Sequence, residues 1–371
     1  MLRTARSRAP LALLLLTACT TALLSCAVAA ARPAQIQTQR LDAADLTAQA
    51  PREPFHRLAR AVSAQPGPTS QAVAAAPVRA TQHVAPTAWG LIENGWPYDT
   101  SGFDSVVDAV HRTPQYMEWY FHWGGGWSTY GDALPFLQAA AAHGATPIVT
   151  WMSDNPNTPT ATPFTLQAIA SGRYDAFIQS WASGVRNFGS TVILRFDPEM
   201  NGYWMAWSQG RAGQTAADYV NAWRHVHDVF AAAGATNVQW MWSPNVEYNG
   251  EAPLPAFYPG DAYVDWAALD GYNWGDTYGH SWQSFSQVFD ASIAAVQRTT
   301  AKPLMLAEVG CAPEGGDKAA WIADMFAQLA GRPYIKAFLW FDLDKENDWR
   351  IRSSVASADA FAAGVAALPA A

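Results

Sequence analysis

From residue 87 onward, short apolar runs alternate with longer stretches in which apolar residues recur every three or four positions. The short runs are rich in β-branched and aromatic residues, which predicts strands, and the longer periodic stretches predict amphipathic helices. Helical patterns separate most of the strands. Eight strands are predicted, at residues 88–93, 116–123, 146–151, 191–198, 237–243, 266–272, 303–309 and 335–341.

Three of the helical stretches have recognisable ends. Residues 132–144, 215–234 and 317–331 each begin with an Asp or Thr that can cap a helix, and each ends with a Gly. Eight β/α units in about 280 residues predict an α/β fold in which a single (β/α)8 TIM barrel covers residues 87–371. A doubly wound open sheet is the alternative, but no Gly-rich phosphate loop follows the first strand.

Residues 1–86 follow a different pattern and are predicted to lie outside the barrel. Residues 1–31 resemble a secretory signal peptide, with a basic start, an apolar segment and small residues at the end. The segment LTAC within them also resembles a bacterial lipobox, which would place a lipid on Cys19. Residues 32–86 are rich in Ala, Pro and Gln and predict a disordered linker. We therefore expect a secreted, extracellular protein or, alternatively, a cell-surface lipoprotein anchored to a membrane.

The composition of the predicted barrel restricts the classes of ligand that it can bind. Residues 88–371 contain all 18 Trp and carry 28 acidic and 14 basic residues, a net charge of −14. This charge argues against nucleic acid and anionic membrane surfaces as ligands, because both need basic patches. The many aromatic rings favour a neutral ligand with hydroxyl groups and flat apolar faces. Cys311 is the one Cys of this region, so no disulfide is expected within it. We expect a monomer with no metal and no cofactor.

Two acids follow strongly apolar runs at the ends of predicted strands. Glu199 ends the fourth strand, in RFDPEMNGYWMAW, and Glu308 ends the seventh, in PLMLAEVG. Side chains alternate along a strand, so Arg195, Asp197 and Glu199 are expected to share the face that points into the barrel mouth. The alternative is that both acids only cap surface helices. TIM barrels, however, place their chemistry at this end of the strands.

Two carboxylates across a barrel mouth lined with Trp predict glycoside hydrolysis. In this interpretation Glu199 donates a proton to the leaving oxygen. The ring of Trp204 then forms the floor for the leaving sugar, because sugar C–H groups pack on aromatic faces. His122, at the end of the second strand, either binds a sugar hydroxyl or makes only a local hydrogen bond.

Several segments resemble glycoside hydrolase family 26. RFDPEMNGYWMAW is similar to the acid/base segment of that family and KPLMLAEVG to its nucleophile strand. The resemblance spans roughly residues 88–355 and implies a retaining endo-β-glycosidase that cleaves a β-linked polysaccharide: β-mannan or glucomannan, β-1,3-xylan or mixed-linkage β-glucan. Similarity to the fifth, sixth and eighth strands of the family is carried by VQWMWSPN, LDGYNWG and FLWFDLDKENDWRI.

The resemblance also implies roles for individual residues. Glu199 would be the acid/base and Glu308 the nucleophile. Arg195 would lie near Glu308 and keep it ionised, Trp204 would line the leaving-group site and Tyr272 would hydrogen-bond the nucleophile. The remaining substrate-binding residues that the motifs imply are Trp340, as the platform beneath the cleaved sugar, Asn201 and Trp274.

The chain departs from the family pattern immediately before the acid/base. Pro198 stands where the family usually has His, and Asp197 precedes it. Proline has neither a side-chain donor nor an N–H group, so one contact near the sugar is lost. The two-glutamate chemistry is unaffected, but the sugar and the linkage are not predicted. A non-catalytic polysaccharide-binding barrel and a hydrolase acting on the cell's own exopolysaccharide are the alternatives.

Overall fold

The computed structural model describes residues 88–158, 162–247 and 253–369. Eight parallel strands form a closed barrel in chain order, and the eighth strand pairs with the first. The TIM-barrel prediction is therefore confirmed, and the open-sheet alternative is wrong. The predicted signal peptide and linker lie outside the described residues. The strands are β1 (Ala88–Ile92), β2 (Tyr116–His122), β3 (Thr146–Met152), β4 (Val192–Phe196), β5 (Val238–Trp242), β6 (Trp266–Asn273), β7 (Leu304–Cys311) and β8 (Ile335–Phe341).

Helices follow seven of the eight strands in the described part of the chain. In the described residues of the connection from β5 to β6, the one helical element is a 3₁₀ turn, Leu254–Phe257, whereas those of the connection from β3 to β4 contain two helices. Over the described ranges, no helix has the length and apolar character needed to cross a membrane. The helices are α1 (Ser101–Val110), α2 (Tyr130–Ala142), α3 (Leu166–Ala170), α4 (Asp175–Phe188), α5 (Ala216–Ala232), α6 (Phe285–Thr299), α7 (Lys318–Ala330) and α8 (Val355–Ala367).

The capping signals in the sequence are mostly used as predicted. Thr215 caps α5 in a capping box with Asp218, and the Asp317 side chain accepts the Ala320 N–H at the start of α7. Helix α2 begins earlier than predicted. Its cap is Thr129, and Asp132 is the third residue of a capping box rather than the cap itself.

Alternation along the strands separates two buried layers. In β8, Ala337, Leu339 and Phe341 pack inside the barrel, whereas Phe338 and Trp340 pack in the layer between the strands and the helices. Outward-facing aromatic and aliphatic side chains therefore fix the helices to the barrel, and the smaller inner layer fills the barrel itself.

A break in alternation occurs in β7, where one of the two predicted catalytic acids lies. Leu269 pairs with Leu306, but Asp270, the next residue of β6, pairs with Glu308, so β7 contains one extra residue. Met305 and Ala307 face the barrel interior. Strict alternation would turn Glu308 outward. The bulge at Ala307 and Glu308 reverses this and directs the carboxyl group into the barrel mouth.

Candidate active site

The end of β4 bends sharply before Glu199. Asp197 and Glu199 have left-handed backbone conformations, with φ of 44° and 55°, which non-glycine residues seldom adopt. The backbone N–H and the hydroxyl of Ser153 each donate to Asp197 at 2.7 Å. The Glu199 N–H donates to the Ser243 carbonyl at 2.8 Å. These bonds hold the bend, which ends the strand at Phe196, two residues earlier than predicted.

The bend changes which side chains share a face. Asp197 is fully buried and turned toward Ser153 after β3. The prediction that Asp197 points into the barrel mouth with Arg195 and Glu199 is therefore wrong, because two left-handed residues interrupt the alternation. Burial raises the pKa of Asp197 well above its usual range, against the effect of the Ser153 hydrogen bonds.

The aromatic segment after Glu199 has two separate functions. Trp204 is half-buried, and its indole N–H donates to Glu199 Oε2 at 2.6 Å. A Cβ on Gly202 would lie 2.6 Å from this ring, so glycine is needed for the ring to lie there. Trp207 is buried, and its indole N–H donates to the Pro198 carbonyl at 2.6 Å. Trp204 therefore orients the acid, and Trp207 fixes the loop that carries it.

Glu308 is surrounded by hydrogen-bond donors. Arg195 Nη1 lies 2.7 Å from Glu308 Oε1, and the Tyr120 hydroxyl donates to the same oxygen at 2.8 Å. The Tyr272 hydroxyl donates to Glu308 Oε2. The predictions that Arg195 keeps Glu308 ionised and that Tyr272 hydrogen-bonds it agree with this geometry.

Arg195 lies below Glu308 and contacts three carboxyl groups. Its side chain is fully buried, so Arg195 supports the nucleophile and does not contact substrate directly, which corrects the expectation that it is a substrate-binding residue. Nη1 also lies 2.7 Å from Glu118 Oε1, and Nη2 donates to Asp270. The Ser243 hydroxyl donates to the other oxygen of Asp270 at 2.9 Å.

Sequence reasoning missed Glu118, Tyr120 and Asp270. Each lies inside a strand, where alternation turns it toward the barrel axis. For Glu118 and Asp270 the available signal was an acid within an apolar strand, as in YMEWYFH and WAALDGYN, because a charge there needs a partner. Tyr120 carries no such signal.

The two glutamates have opposite acidities. Burial, followed by repulsion from Glu308, raises the pKa of Glu199 to about 7. Burial also acts to raise the pKa of Glu308, but the positive charge of Arg195 and the hydroxyls of Tyr272 and Tyr120 outweigh it and lower this pKa below its usual value. Near neutral pH, one carboxyl group can therefore hold a proton while the other is ionised.

One guanidinium cannot neutralise three carboxylates. Burial raises the pKa of Glu118 to about 7, against the attraction of Arg195, and also raises that of Asp270 well above its usual range. The negative charge of the cluster is therefore concentrated on Glu308, which has the most donors.

The structure corrects the predicted roles of Trp340 and Asn201. Trp340 is fully buried, its indole N–H donates to the Trp349 carbonyl at 2.9 Å, and its ring packs on Phe361 at 5.3 Å. It faces the helices because alternation in β8 turns Phe341 inward instead, so it cannot be a sugar platform. Asn201 is buried, and its side-chain amide N–H donates to the Asn245 carbonyl at 2.8 Å. The Asn245 N–H donates to Asn201 Oδ1 at 2.9 Å, so the amide joins two loops.

His122 and Trp274 lie at strand ends around the mouth. His122 Nδ1 lies 2.5 Å from Asp154 Oδ1, which matches the local hydrogen bond considered as the alternative to sugar binding. Trp274 is half-buried and stacks on His280, with ring centroids 5.3 Å apart. Sugar binding by Trp274 stays a prediction. Within the described ranges, no three His, Cys, Asp or Glu side chains are grouped so that they could hold a metal ion.

Comparison with models of known protein families identifies the family of this chain. A model of glycosyl hydrolase family 26 matches residues 148–356, more than half of the chain. The chain belongs to glycosyl hydrolase family 26. The resemblance carried by the two glutamate motifs is confirmed, and both glutamates lie within the matched residues.

Two curated relatives match this chain over only part of their own length. Endoglucanase H of Acetivibrio thermocellus is 37% identical over 236 residues, which is 62% of this chain and 25% of the relative. Mannan endo-1,4-beta-mannosidase A and B of Caldalkalibacillus mannanilyticus is 35% identical over 109 residues, 27% of this chain and 21% of the relative. The chain thus spans about a quarter of the length of these relatives.

Solved structures support the fold. A family 26 β-mannanase from Bacteroides ovatus superposes with a TM-score of 0.57 at 18% identity and covers 76% of this chain and 89% of its own. At this level of identity the superposition supports the barrel architecture but not a substrate.

Proposed function

We propose that the protein is a retaining endo-β-glycosidase that hydrolyses a β-linked polysaccharide by double displacement. The observation that carries this proposal is the pair of glutamates with opposite acidities at the barrel mouth. Glu199, whose pKa is raised to about 7, is suited to donate a proton. Glu308, whose pKa is lowered, is suited to attack as a carboxylate.

The first step forms a covalent intermediate. Glu308 attacks the anomeric carbon while Glu199 protonates the glycosidic oxygen, and the bond between that oxygen and the anomeric carbon breaks. The nucleophile loses its negative charge as its ester forms, so the bonds from Arg195, Tyr120 and Tyr272 weaken. Glu199, now a carboxylate, is ready to act as a base.

The second step releases the sugar with its original configuration. Glu199 takes a proton from a water molecule, the resulting hydroxide attacks the anomeric carbon, and Glu308 leaves as a carboxylate. This mechanism predicts a bell-shaped dependence of kcat/KM on pH. Activity falls at low pH when Glu308 is protonated, and falls above about pH 7 when Glu199 loses its proton.

Among the substrates that the family resemblance implies, we propose β-glucan first. Endoglucanase H of Acetivibrio thermocellus, which matches 62% of this chain, is by its name an endoglucanase. The mannosidase from Caldalkalibacillus mannanilyticus matches 27%. Pro198 in place of the usual His also removes one contact of the family pattern, which weakens the case for mannan.

A panel of polysaccharides with product sizing tests activity and substrate together. The wild type and Glu308→Gln are each incubated with mixed-linkage β-glucan, glucomannan, galactomannan, β-1,3-xylan and the cell's own exopolysaccharide. We expect the wild type to release oligosaccharides from mixed-linkage β-glucan, and Glu308→Gln to release none. Retained binding with no turnover by the wild type on any glycan would instead establish a non-catalytic binding barrel.

We also propose that the protein is exported as a monomer, with residues 32–86 acting as a tether for the barrel. The support is the basic and apolar pattern of residues 1–31 and the composition of residues 32–86. Mass spectrometry of the mature N-terminus decides between the two forms of export. A start near Ala30 supports free secretion, and a lipid-modified Cys19 supports an anchored lipoprotein. Retention of residues 1–31 in the mature protein would contradict both.

A further inference from the structure

The loop that follows β8 folds against the loop that follows β6. In the segment 342–350, the Lys345 N–H donates to the Asn347 carbonyl at 3.1 Å and the Trp349 N–H donates to the Leu343 carbonyl at 2.9 Å. The Asn347 amide donates to Thr277 Oγ1 at 3.2 Å. These contacts hold the segment in place at the barrel mouth.

Two neighbouring charged residues of this loop form an ion pair. Lys345 Nζ lies 3.1 Å from Glu346 Oε1, and the two side chains are 26% and 23% exposed. Lys345 Nζ also lies 5.7 Å from the ring centroid of Phe341. Glu346 Oε2 lies 3.5 Å from the indole nitrogen of Trp349. The pair is therefore about three-quarters buried against aromatic rings rather than free in solvent.

These rings belong to the wall that holds the nucleophile. The ring of Phe341 lies 5.6 Å from that of Tyr272, and the ring of Trp349 lies 4.9 Å from that of Tyr272. Tyr272 in turn donates to Glu308. The ion pair thus lies on the aromatic wall beside Glu308, and two rings separate it from that residue: Phe341 or Trp349, and then Tyr272.

Lys345 of this pair is also close enough to influence the acid/base. The pKa of Glu199 is raised by burial and by Glu308, and is lowered by the Trp204 hydrogen bond and by the positive charges of Arg195 and Lys345. Asp270 and Tyr272 also interact electrostatically with Glu199. The ammonium of Lys345 therefore lies near enough to the barrel mouth to act on the charge of Glu199.

We propose that Lys345 and Glu346 bind adjacent hydroxyl groups of the sugar at the cleavage position of a neutral β-glycan. An ammonium group donates hydrogen bonds and a carboxylate accepts them, so the pair offers one donor and one acceptor to two neighbouring hydroxyls. An acidic sugar would be repelled by Glu346 and by the ionised Glu308. This inference rests on the proposed glycosidase function and extends it to the recognition of the sugar.

The test compares Lys345→Met with Lys336→Met. Methionine keeps an apolar side chain over Phe341 but removes the ammonium. Lys336 is an exposed residue near the start of β8, the strand that precedes the loop of Lys345, so its variant is a matched control. Binding is measured by calorimetry in a Glu308→Gln background, where no turnover occurs, with cellotetraose, mannotetraose and a mixed-linkage glucan tetrasaccharide. Glu346→Gln and Lys345→Arg complete the set, and thermal unfolding checks the fold of each variant.

We expect Lys345→Met to weaken binding of at least one neutral tetrasaccharide about tenfold, the usual effect of losing a hydrogen bond from a charged group. Glu346→Gln should weaken the same ligand, and Lys345→Arg should restore much of the loss. In the active enzyme, Lys345→Met removes a positive charge that lowers the pKa of Glu199, so the basic limb of the kcat/KM profile should move to higher pH.

Two results would overturn the proposal. One is equal affinity of Lys345→Met and Lys336→Met for every neutral tetrasaccharide, with an unchanged basic limb. The other is tighter binding of a polyuronate oligosaccharide than of the neutral ones. Because affinity is measured without turnover, loss of binding in Lys345→Met supports sugar recognition even if the wild type proves inactive, which would contradict only the proposed glycosidase function.

Discussion

The ends of β4 and β7 both present a glutamate to the same barrel mouth, yet they are built differently. Glu199 lies beyond its strand, on a backbone bent by two left-handed residues, with the Trp204 indole as a donor. Glu308 lies within its strand at a bulge and accepts hydrogen bonds from Arg195, Tyr120 and Tyr272. Burial acts to raise the pKa of both, and only Glu308 has enough donors to reverse the effect.

The difference shows that the roles are set by the surroundings and not by the residue type. A buried carboxyl group with one neutral donor keeps its proton, whereas one with a guanidinium and two hydroxyls loses it. The predictions below change these surroundings on one side or the other.

Removal of either carboxyl group should have the largest effect. On natural polysaccharide, Glu199→Ala should lose the roughly 10²–10⁴-fold that a general acid/base contributes, and Glu308→Ala should lose more, because no covalent intermediate can form. Steady-state rates of reducing-sugar release measure both. Asp359→Ala, at an exposed position on α8, is the control and should keep the wild-type rate. Substantial wild-type activity in either glutamate variant would contradict the assignment.

Replacement of the guanidinium should affect stability and acidity together. Arg195→Met leaves Glu118, Asp270 and Glu308 without their shared cation, and breaking a buried ion pair in this way costs about 3–5 kcal/mol. Denaturant unfolding measures this change, with the exposed Arg298→Met as the control. Loss of the positive charge also raises the pKa of Glu308, so the acid limb of kcat/KM should move to higher pH. An unchanged acid limb would mean that Arg195 does not set the ionisation of Glu308.

Removal of the Tyr272 hydroxyl should have a smaller effect on activity, again through the ionisation of Glu308. Tyr272→Phe removes one donor to ionised Glu308, which should lower kcat/KM about tenfold and move the acid limb to higher pH. Tyr98→Phe, at an exposed position, serves as the control. A pH profile identical to that of the wild type would assign Tyr272 to packing alone.

On the Glu199 side, Trp204 should have the smallest effect. Its hydrogen bond lowers the pKa of Glu199, so Trp204→Phe should move the basic limb to higher pH while the ring still contacts the sugar. Trp204→Ala should in addition weaken binding by about 1 kcal/mol, the effect expected for a lost aromatic contact. A large fall in Tm with unchanged kinetics in both variants would show that the ring only packs.

Most of the fold could be predicted from the sequence because it depends on local patterns. All eight strands lie within two residues of their predicted positions, since β-branched and aromatic runs mark them directly. Glu199 and Glu308 were found because an acid after an apolar run is conspicuous.

The errors arise where tertiary contacts override local patterns. The bend at Asp197 depends on Ser153, which lies 44 positions earlier in the chain, and no local signal marks it. Trp340 was predicted to lie beneath the cleaved sugar, although the alternation of side chains along β8 turns it outward. Glu118 and Asp270 were missed because their partner, Arg195, lies on another strand and becomes adjacent only when the barrel closes.

The stereochemistry of azide rescue tests the assignment of the two glutamates most directly. With an aryl β-glycoside that has a good leaving group, Glu199→Ala should still form the intermediate on Glu308, because departure needs no proton. Azide then attacks in a second inversion and gives the β-glycosyl azide. Glu308→Ala cannot form the intermediate, so a single inversion should give the α-glycosyl azide. NMR of the products distinguishes the two anomers, and an α-azide from Glu199→Ala would contradict the account.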